Sequence, residues 1–169
     1  HPAFYEPEKV ESDKNEEQTT ASSFTEIGTT ETSLSSGDVV EIPFIERGGV
    51  KYIEAKLNNT IGVDMILDSG CSGATISITE AQYLYAKGAF SEEDYIGPTA
   101  ATIANGNVEI GALIILREID LGGKIKCKNV KAQVIDNPQV PLLLGNDVLD
   151  RVSSYEVDNA NKVIRFKIQ

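Results

Sequence analysis

Few residues in this chain have the type and placement to do chemistry, and one is set apart by position. Met65-Ile66-Leu67 ends an apolar strand, and the next residue is Asp68, followed by Ser69-Gly70-Cys71-Ser72-Gly73. Ending a buried strand on a carboxylate costs free energy unless a partner or a shifted pKa compensates. An aspartate held there is a candidate general acid or base.

The competing chemistries fail on residue counts. The only histidine is His1. Ser–His–Asp and Cys–His catalysis both need an imidazole base, so Cys71 and Ser72 beside Asp68 read as loop residues. Cys71 and Cys127 have no short spacing between them, and no CxxC zinc pattern occurs. No metal and no cofactor is expected. The two thiols read as apolar and unpaired, with a disulfide left open because sequence does not place their Cα atoms. Asp64 is a second carboxylate nearby, but strand alternation sets it roughly 13 Å from Asp68, too far for a dyad. Glu92-Glu93-Asp94 reads as a solvated charge run, and Asp147 and Asp150 as helix-capping and solvating acids.

The net charge of −11 is unevenly spread. Residues 1–38 hold nine acids and two bases, whereas 39–169 hold seventeen acids and thirteen bases. The first segment, rich in Glu, Ser and Thr, has the composition of a solvated tail or linker, although a piece of it lying on the core or in a partner's cleft is also compatible. Residues 39–169 read as one globular domain. The acidic balance, without a basic stripe, argues against nucleic-acid binding. No apolar run approaches the roughly 20 residues that cross a bilayer as a helix. The chain begins at His1 rather than Met and reads as a processed form or a fragment. A signal or anchor upstream, and with it a cell-envelope or membrane-tethered parent, stays open.

The elements that must position Asp68 are mostly short strands. Val39–Ile45 reads as a strand with Pro43 at an edge or bulge. Gly48-Gly49 turns into Val50–Leu57, Asn58-Asn59 turns again, and residues 60–67 deliver Asp68. Thr75–Ile78 resumes the sheet. Thr79 with Gln82 predicts a capping box for a helix to Lys87, closed by Gly88. Gly97-Pro98 breaks the chain before a hairpin over 99–110 with Asn105-Gly106 at its tip, the strongest short hairpin signal. Val108–Leu121 is a long strand whose middle, Ala112–Leu116, predicts a bulge or burial on both faces. Gly122-Gly123 leads to a strand over 124–135. Pro141–Leu144 reads as a buried strand ended by Gly145, then a short helix over 148–152 capped by Asp147 or Asn146. Strands over 154–157 and 162–168 close the chain. Without a βαβ rhythm, an all-β closed barrel with one or two short helices fits best.

This order of features resembles the retropepsin-like aspartic proteases, the bacterial members above all, over residues 39–169. The carriers are Asp68-Ser69-Gly70 after an apolar strand, the Thr102-Ile103-Ala104-Asn105-Gly106 hairpin, and Leu143-Leu144-Gly145-Asn146-Asp147 before the last strands. The resemblance implies the acid-protease barrel and an endopeptidase acting on extended peptides. With one Asp-Ser-Gly per chain, it also implies a homodimer in which two Asp68 carboxylates activate a water. It assigns Ser69 and Gly70 to the active-site loop. It assigns Ile103, Ala104, Asn105 and Gly106 to a flap over the substrate, with Val108 as a further pocket wall, and Leu143, Leu144 and Gly145 to loop support. Many viral members carry Arg where this chain has Asn146, which leaves the details of dimer packing open here. Two other readings compete: a retropepsin-like fold used for binding or dimerisation, and an unrelated β-barrel binding module.

Overall fold

A computed structural model describes residues 25–27, 36–102 and 106–169. Its strands are β1 (Thr25–Ile27), β2 (Val39–Arg47), β3 (Val50–Leu57), β4 (Ile61–Leu67), β5 (Ala74–Ser77), β6 (Tyr95–Thr102), β7 (Val108–Leu121), β8 (Ile125–Ile135), β9 (Leu143–Leu144), β10 (Val152–Asp158) and β11 (Val163–Ile168). Helix α1 spans Ile78–Ala86, α2 spans Asn146–Leu149, and a 3-10 turn covers Glu92–Asp94.

Local sequence accounts for the hairpins. Gly48-Gly49 and Gly122-Gly123 all take positive φ, between 58° and 78°, as a two-residue turn matched to strand twist requires. Asn58 and Asn59 do the same at 48° and 52°. Alternation sets the faces: Val40, Ile42 and Phe44 of β2 are buried, as are Ile53, Ala55 and Leu57 of β3.

Pairing closes a ring: β3–β4–β9–β5–β8–β7 and back to β3. β10, β11 and β2 form a sheet that joins the ring where β2 pairs β3. Pro43 lies where β2 changes partner, pairing β11 over residues 39–43 and β3 over 44–47. It is thus at a handover rather than at an edge or bulge, a place where a missing N–H costs the ladder little. β6 is the edge strand beyond β7. Gly97-Pro98, expected to break the chain, lies inside β6, with the register shift between Tyr95 and Gly97.

The bulge or burial on both faces expected within Ala112–Leu116 is not what forms: Ala112, Ile114 and Leu116 are buried, Leu113 and Ile115 only partly, and a change of face follows at Arg117. In β7 the buried positions run 112, 114, 116 and then 119, 121; in β8 they run 125, 127 and then 130, 132, 134, with Ile135 buried as well at the strand's end. Both strands swap faces together, at Arg117 and at Asn129, whose φ is 52°, so the ladder keeps one register throughout. The two halves of the β7–β8 ribbon can then both present apolar residues to the core while turning a corner.

The N-cap of α1 is Ser77, not Thr79. Ser77 accepts from the Thr79 N–H, and Glu80 accepts from the Ser77 N–H at 2.8 Å. Both boxes exist in the sequence, and pairing chooses between them: Ser77 is the last residue held extended against β8. In the acidic N-terminal segment, Thr25–Ile27 pairs in parallel with Ile125–Cys127 of β8.

Candidate active site

β4 ends at Leu67 and β5 begins at Ala74, and the loop between them holds Asp68. β9 runs between these strands, parallel to β4 through Ile66 and Leu67 and antiparallel to β5 through Thr75. The Asp68 N–H donates to the Leu144 carbonyl at 2.9 Å, and the Ile66 N–H to that of Leu142, also at 2.9 Å. Leu144 is fully buried, which contributes roughly 2–3 kcal/mol. Each hydrogen bond nets about 1 kcal/mol. Burial of β9 therefore dominates the energetics, while the hydrogen bonds select the register.

Gly145 follows, wedged under the loop. A Cβ there would lie 2.0 Å from the Gly73 carbonyl oxygen and 2.3 Å from that of Cys71. The Asn146 N–H donates to the Cys71 carbonyl and the Asp147 N–H to that of Ser72, both at 2.8 Å. The exposed donors of a helix N-terminus are thus used up by the Asp68 loop, which explains why Gly145 is the N-cap of α2 and no side chain caps it. The expectation that Asp147 or Asn146 caps this helix is corrected accordingly. The Asn146 side chain instead donates to the Ser69 carbonyl at 2.8 Å.

Asp147 has a different task. Its carboxylate accepts from the Lys131 N–H at 2.7 Å and meets Arg151 at 3.3 Å. Arg151 also donates to the carbonyls of Lys128 and Asn129 in β8, and to that of Asp147. It satisfies carbonyls at the corner where β8 changes face, and ties α2 to that corner. Sequence reasoning missed Arg151; its i,i+4 relation to Asp147 was the available signal.

Within the loop, the Gly70 N–H donates to Asp68 Oδ1 at 2.9 Å and the Cys71 N–H to the Asp68 carbonyl at 3.1 Å. A Cβ on Gly70 would stand 3.1 Å from that same Oδ1, closer than side chains ordinarily come. Asp68 is half-buried, whereas Ser69 and Gly70 are exposed. The carboxylate therefore sits on a fixed backbone with a side open to a reactant.

The other candidates lie apart from this geometry. Asp64 pairs with Arg47 at 2.9 Å. Both cysteines are free. Burial pushes the Cys127 thiol up to about 12, so it stays protonated and unreactive near neutral pH. Cys71 contacts the Gly73 carbonyl at 3.1 Å and Thr75 Oγ1 at 3.4 Å. Asp94 is more than a solvated acid: it pairs with Arg117 at 2.8 Å and accepts from the Ser91 N–H at 3.0 Å, at the root of the β6–β7 hairpin.

That hairpin places Thr102 opposite Val108, and Gly106 takes φ 84°. Ile103, Ala104 and Asn105 lie outside the described residues. Val108 and Ile110 are 66% and 72% exposed, an uncovered apolar surface near the hairpin's end. A cleft of about 550 Å³ opens beside the Asp68 loop, lined by Ser72, Gly73 and Ala74, by Thr99 and Leu113, and by Asn146 among others.

Comparison with known proteins fits this geometry. An aspartyl protease profile matches residues 53–148, more than half of the chain, and spans the Asp68 loop, the hairpin and β9. The chain belongs to the aspartyl protease family. It is similar to the crystal structure of a retropepsin-like aspartic protease from Rickettsia conorii, with 26% identity and a TM-score of 0.57, over 79% of this chain and 94% of that one. The solution structure of Simian Foamy Virus (mac) protease matches at 17% identity over 59% of this chain and 91% of that one, with a TM-score of 0.36. No curated protein matches the chain. The mostly-β, retropepsin-like fold expected from the sequence is the fold found. No helix among the described residues is long and apolar enough to cross a membrane.

Proposed function

We propose that this aspartyl protease is an endopeptidase that works as a homodimer, with Asp68 of each copy supplying half of the catalytic pair. The observation that carries the reading is the single Asp68 carboxylate, fixed by backbone hydrogen bonds on a loop braced by β9 and α2 and left partly open. The chain holds one Asp-Ser-Gly, so the second carboxylate comes from another copy.

In aspartic proteases as a class, two carboxylates about 3 Å apart share one proton, because like charges so close do not both ionise. The ionised one takes a proton from a bound water as that water attacks the peptide carbonyl carbon. The protonated one donates to the carbonyl oxygen, giving a tetrahedral diol. The pair titrates as a unit. The β6–β7 hairpin is the flap, with Ile103, Ala104, Asn105 and Gly106 closing over an extended peptide and excluding water. Val108 and Ile110 add apolar surface there. Ser69 bridges to the opposite loop. Leu143, Leu144 and Gly145 hold the loop from beneath. Residues 39–169 are the catalytic domain, and 1–38 its acidic tail.

The test is cleavage of an unstructured polypeptide at acidic and neutral pH by the wild type and by Asp68→Asn. Cleavage by the wild type and none by the variant is expected. Equal cleavage by both overturns the assignment.

A further inference from the structure

β7 takes one edge of β8 along its whole length. The other edge is held in three stretches. Residues 132–135 pair with β5. At the corner, Arg151 donates to the carbonyls of Lys128 and Asn129, and Asp147 accepts from the Lys131 N–H. Residues 125–127 pair with β1, the Thr25–Ile27 stretch of the acidic N-terminal segment. Without β1 these three residues would be an open edge, a template for any extended chain. The register of β1 carries a charge pattern. Lys56 of β3 stands opposite Asp120 of β7, Asp120 stands opposite Lys126 of β8, and Glu26 takes the next register position, beside Lys126. This row alternates in sign across four strands, and opposite charges on neighbouring strands favour pairing where like charges oppose it. Glu26 is the only charged residue between Gln18 and Thr30. A slip of β1 by one residue would leave Lys126 beside Thr25 or Ile27 instead, so charge selects the observed register.

We propose that Thr25–Ile27 is a strap: it docks the acidic N-terminal segment on the β8 edge of its own chain, with Glu26 in register beside Lys126, and steadies the corner from which Asp147 and Arg151 brace the Asp68 loop. A three-residue ladder gains little more than the entropy lost in ordering it. The strap is therefore easily released, and charge decides the balance. Its coupling to the loop follows from adjacency. The pairing ends at Cys127, and the next residue, Lys128, gives its carbonyl to Arg151. Arg151 meets the Asp147 carboxylate, the Asp147 N–H holds the Ser72 carbonyl, and the Asn146 side chain holds that of Ser69. A corner loosened at Lys128 thus reaches the loop through α2. The effect on catalysis rests on the proposed role of Asp68, whereas the docking does not.

The experiment uses the full chain. Amide hydrogen exchange is followed residue by residue, beside peptide cleavage, for wild type, for Glu26→Lys and for the strand-breaking Thr25→Gly/Glu26→Pro/Ile27→Gly. Wild-type amides of 25–27 are expected to exchange severalfold more slowly than in an isolated peptide of the same sequence. Glu26→Lys, which sets like charges side by side, should speed that exchange roughly 2- to 5-fold, and high salt should narrow the difference. The triple variant should also speed exchange at the Lys131 N–H and lower kcat/KM severalfold. Wild-type amides of 25–27 that exchange as fast as those of the peptide overturn the docking. Protection that rises with protein concentration gives the strand to a second copy and overturns docking within one chain. Equal protection in Glu26→Lys and wild type overturns the charge row. A triple variant whose Lys131 exchange or kcat/KM is unchanged overturns the link to the Asp68 loop. A wild type that cleaves no peptide overturns the proposed function, and the exchange results still decide the strap.

Discussion

The Asn146 side chain donates to the Ser69 carbonyl at 2.8 Å, across 77 positions of sequence, and so ties the start of α2 to the residue after Asp68. Asn146→Ala removes one hydrogen bond, worth about 1 kcal/mol. Misplacing a reacting group by a fraction of its reach costs roughly 10- to 100-fold in rate. The expected outcome is a small drop in Tm beside a large drop in kcat/KM. A drop in Tm with unchanged kcat/KM would remove Asn146 from any positioning role.

Gly145 answers to space rather than to backbone freedom, since its φ is −100°. The Cβ of Gly145→Ala would meet two carbonyl oxygens at 2.0 and 2.3 Å, and neither neighbour is the movable end of a side chain. Overpacking of this kind costs on the order of 3 kcal/mol. An unfolding free energy, from urea titration, lowered by less than a third of that would show that the loop yields easily.

Asp120 is an acid that the fold pays to keep. Its Oδ1 is buried without a partner among the described residues. Burial first, then the Glu118 charge, raise its pKa above the ordinary value, while Lys126, the Gly123 N–H and Lys56 pull it back. A carboxyl with a raised folded-state pKa loses stability as pH climbs from the unfolded to the folded pKa, and the loss persists above both. Asp120→Asn should therefore be more stable than wild type at neutral pH, with an advantage that shrinks as pH falls toward the ordinary aspartate range near 4. Denaturant titrations at several pH values measure it; an advantage that is constant or reversed contradicts the account.

The Arg117–Asp94 pair joins β7 to the turn before β6. The Arg117 side chain is about half exposed, so solvent screening holds the pair to about 1 kcal/mol in stability. Its position at the hairpin root predicts a functional effect instead. Asp94→Ala should leave Tm within about two degrees, raise hydrogen exchange in residues 95–102 and increase KM for peptide. Unchanged exchange there would show that the hairpin does not depend on this anchor.

Much of the architecture was readable from local pattern. An apolar strand running into Asp68-Ser69-Gly70 marks a candidate functional carboxylate because burying one without use is costly. The Gly-Gly and Asn-Asn turns mark hairpins because few residues accept positive φ. Alternation in β2 and β3 fixes which residues face inward. Local pattern failed where two solutions were equally good nearby. Ser77 and Thr79 each head a capping box, and only the end of the β5–β8 ladder decides between them. Pro43 reads as an edge residue until β2 is seen to change partners there.

The sequence by itself determined the catalytic candidate and the order of the strands, since both depend on neighbours within a few residues. Tertiary structure decided how Asp68 is held. β9 slips between β4 and β5, Gly145 fits beneath Cys71 and Gly73, and Arg151 reaches the carbonyls of Lys128 and Asn129. These contacts join stretches some 20 to 77 residues apart, and no periodicity records them. Their register is set only when β9 is buried and the backbone donors of α2 must find acceptors.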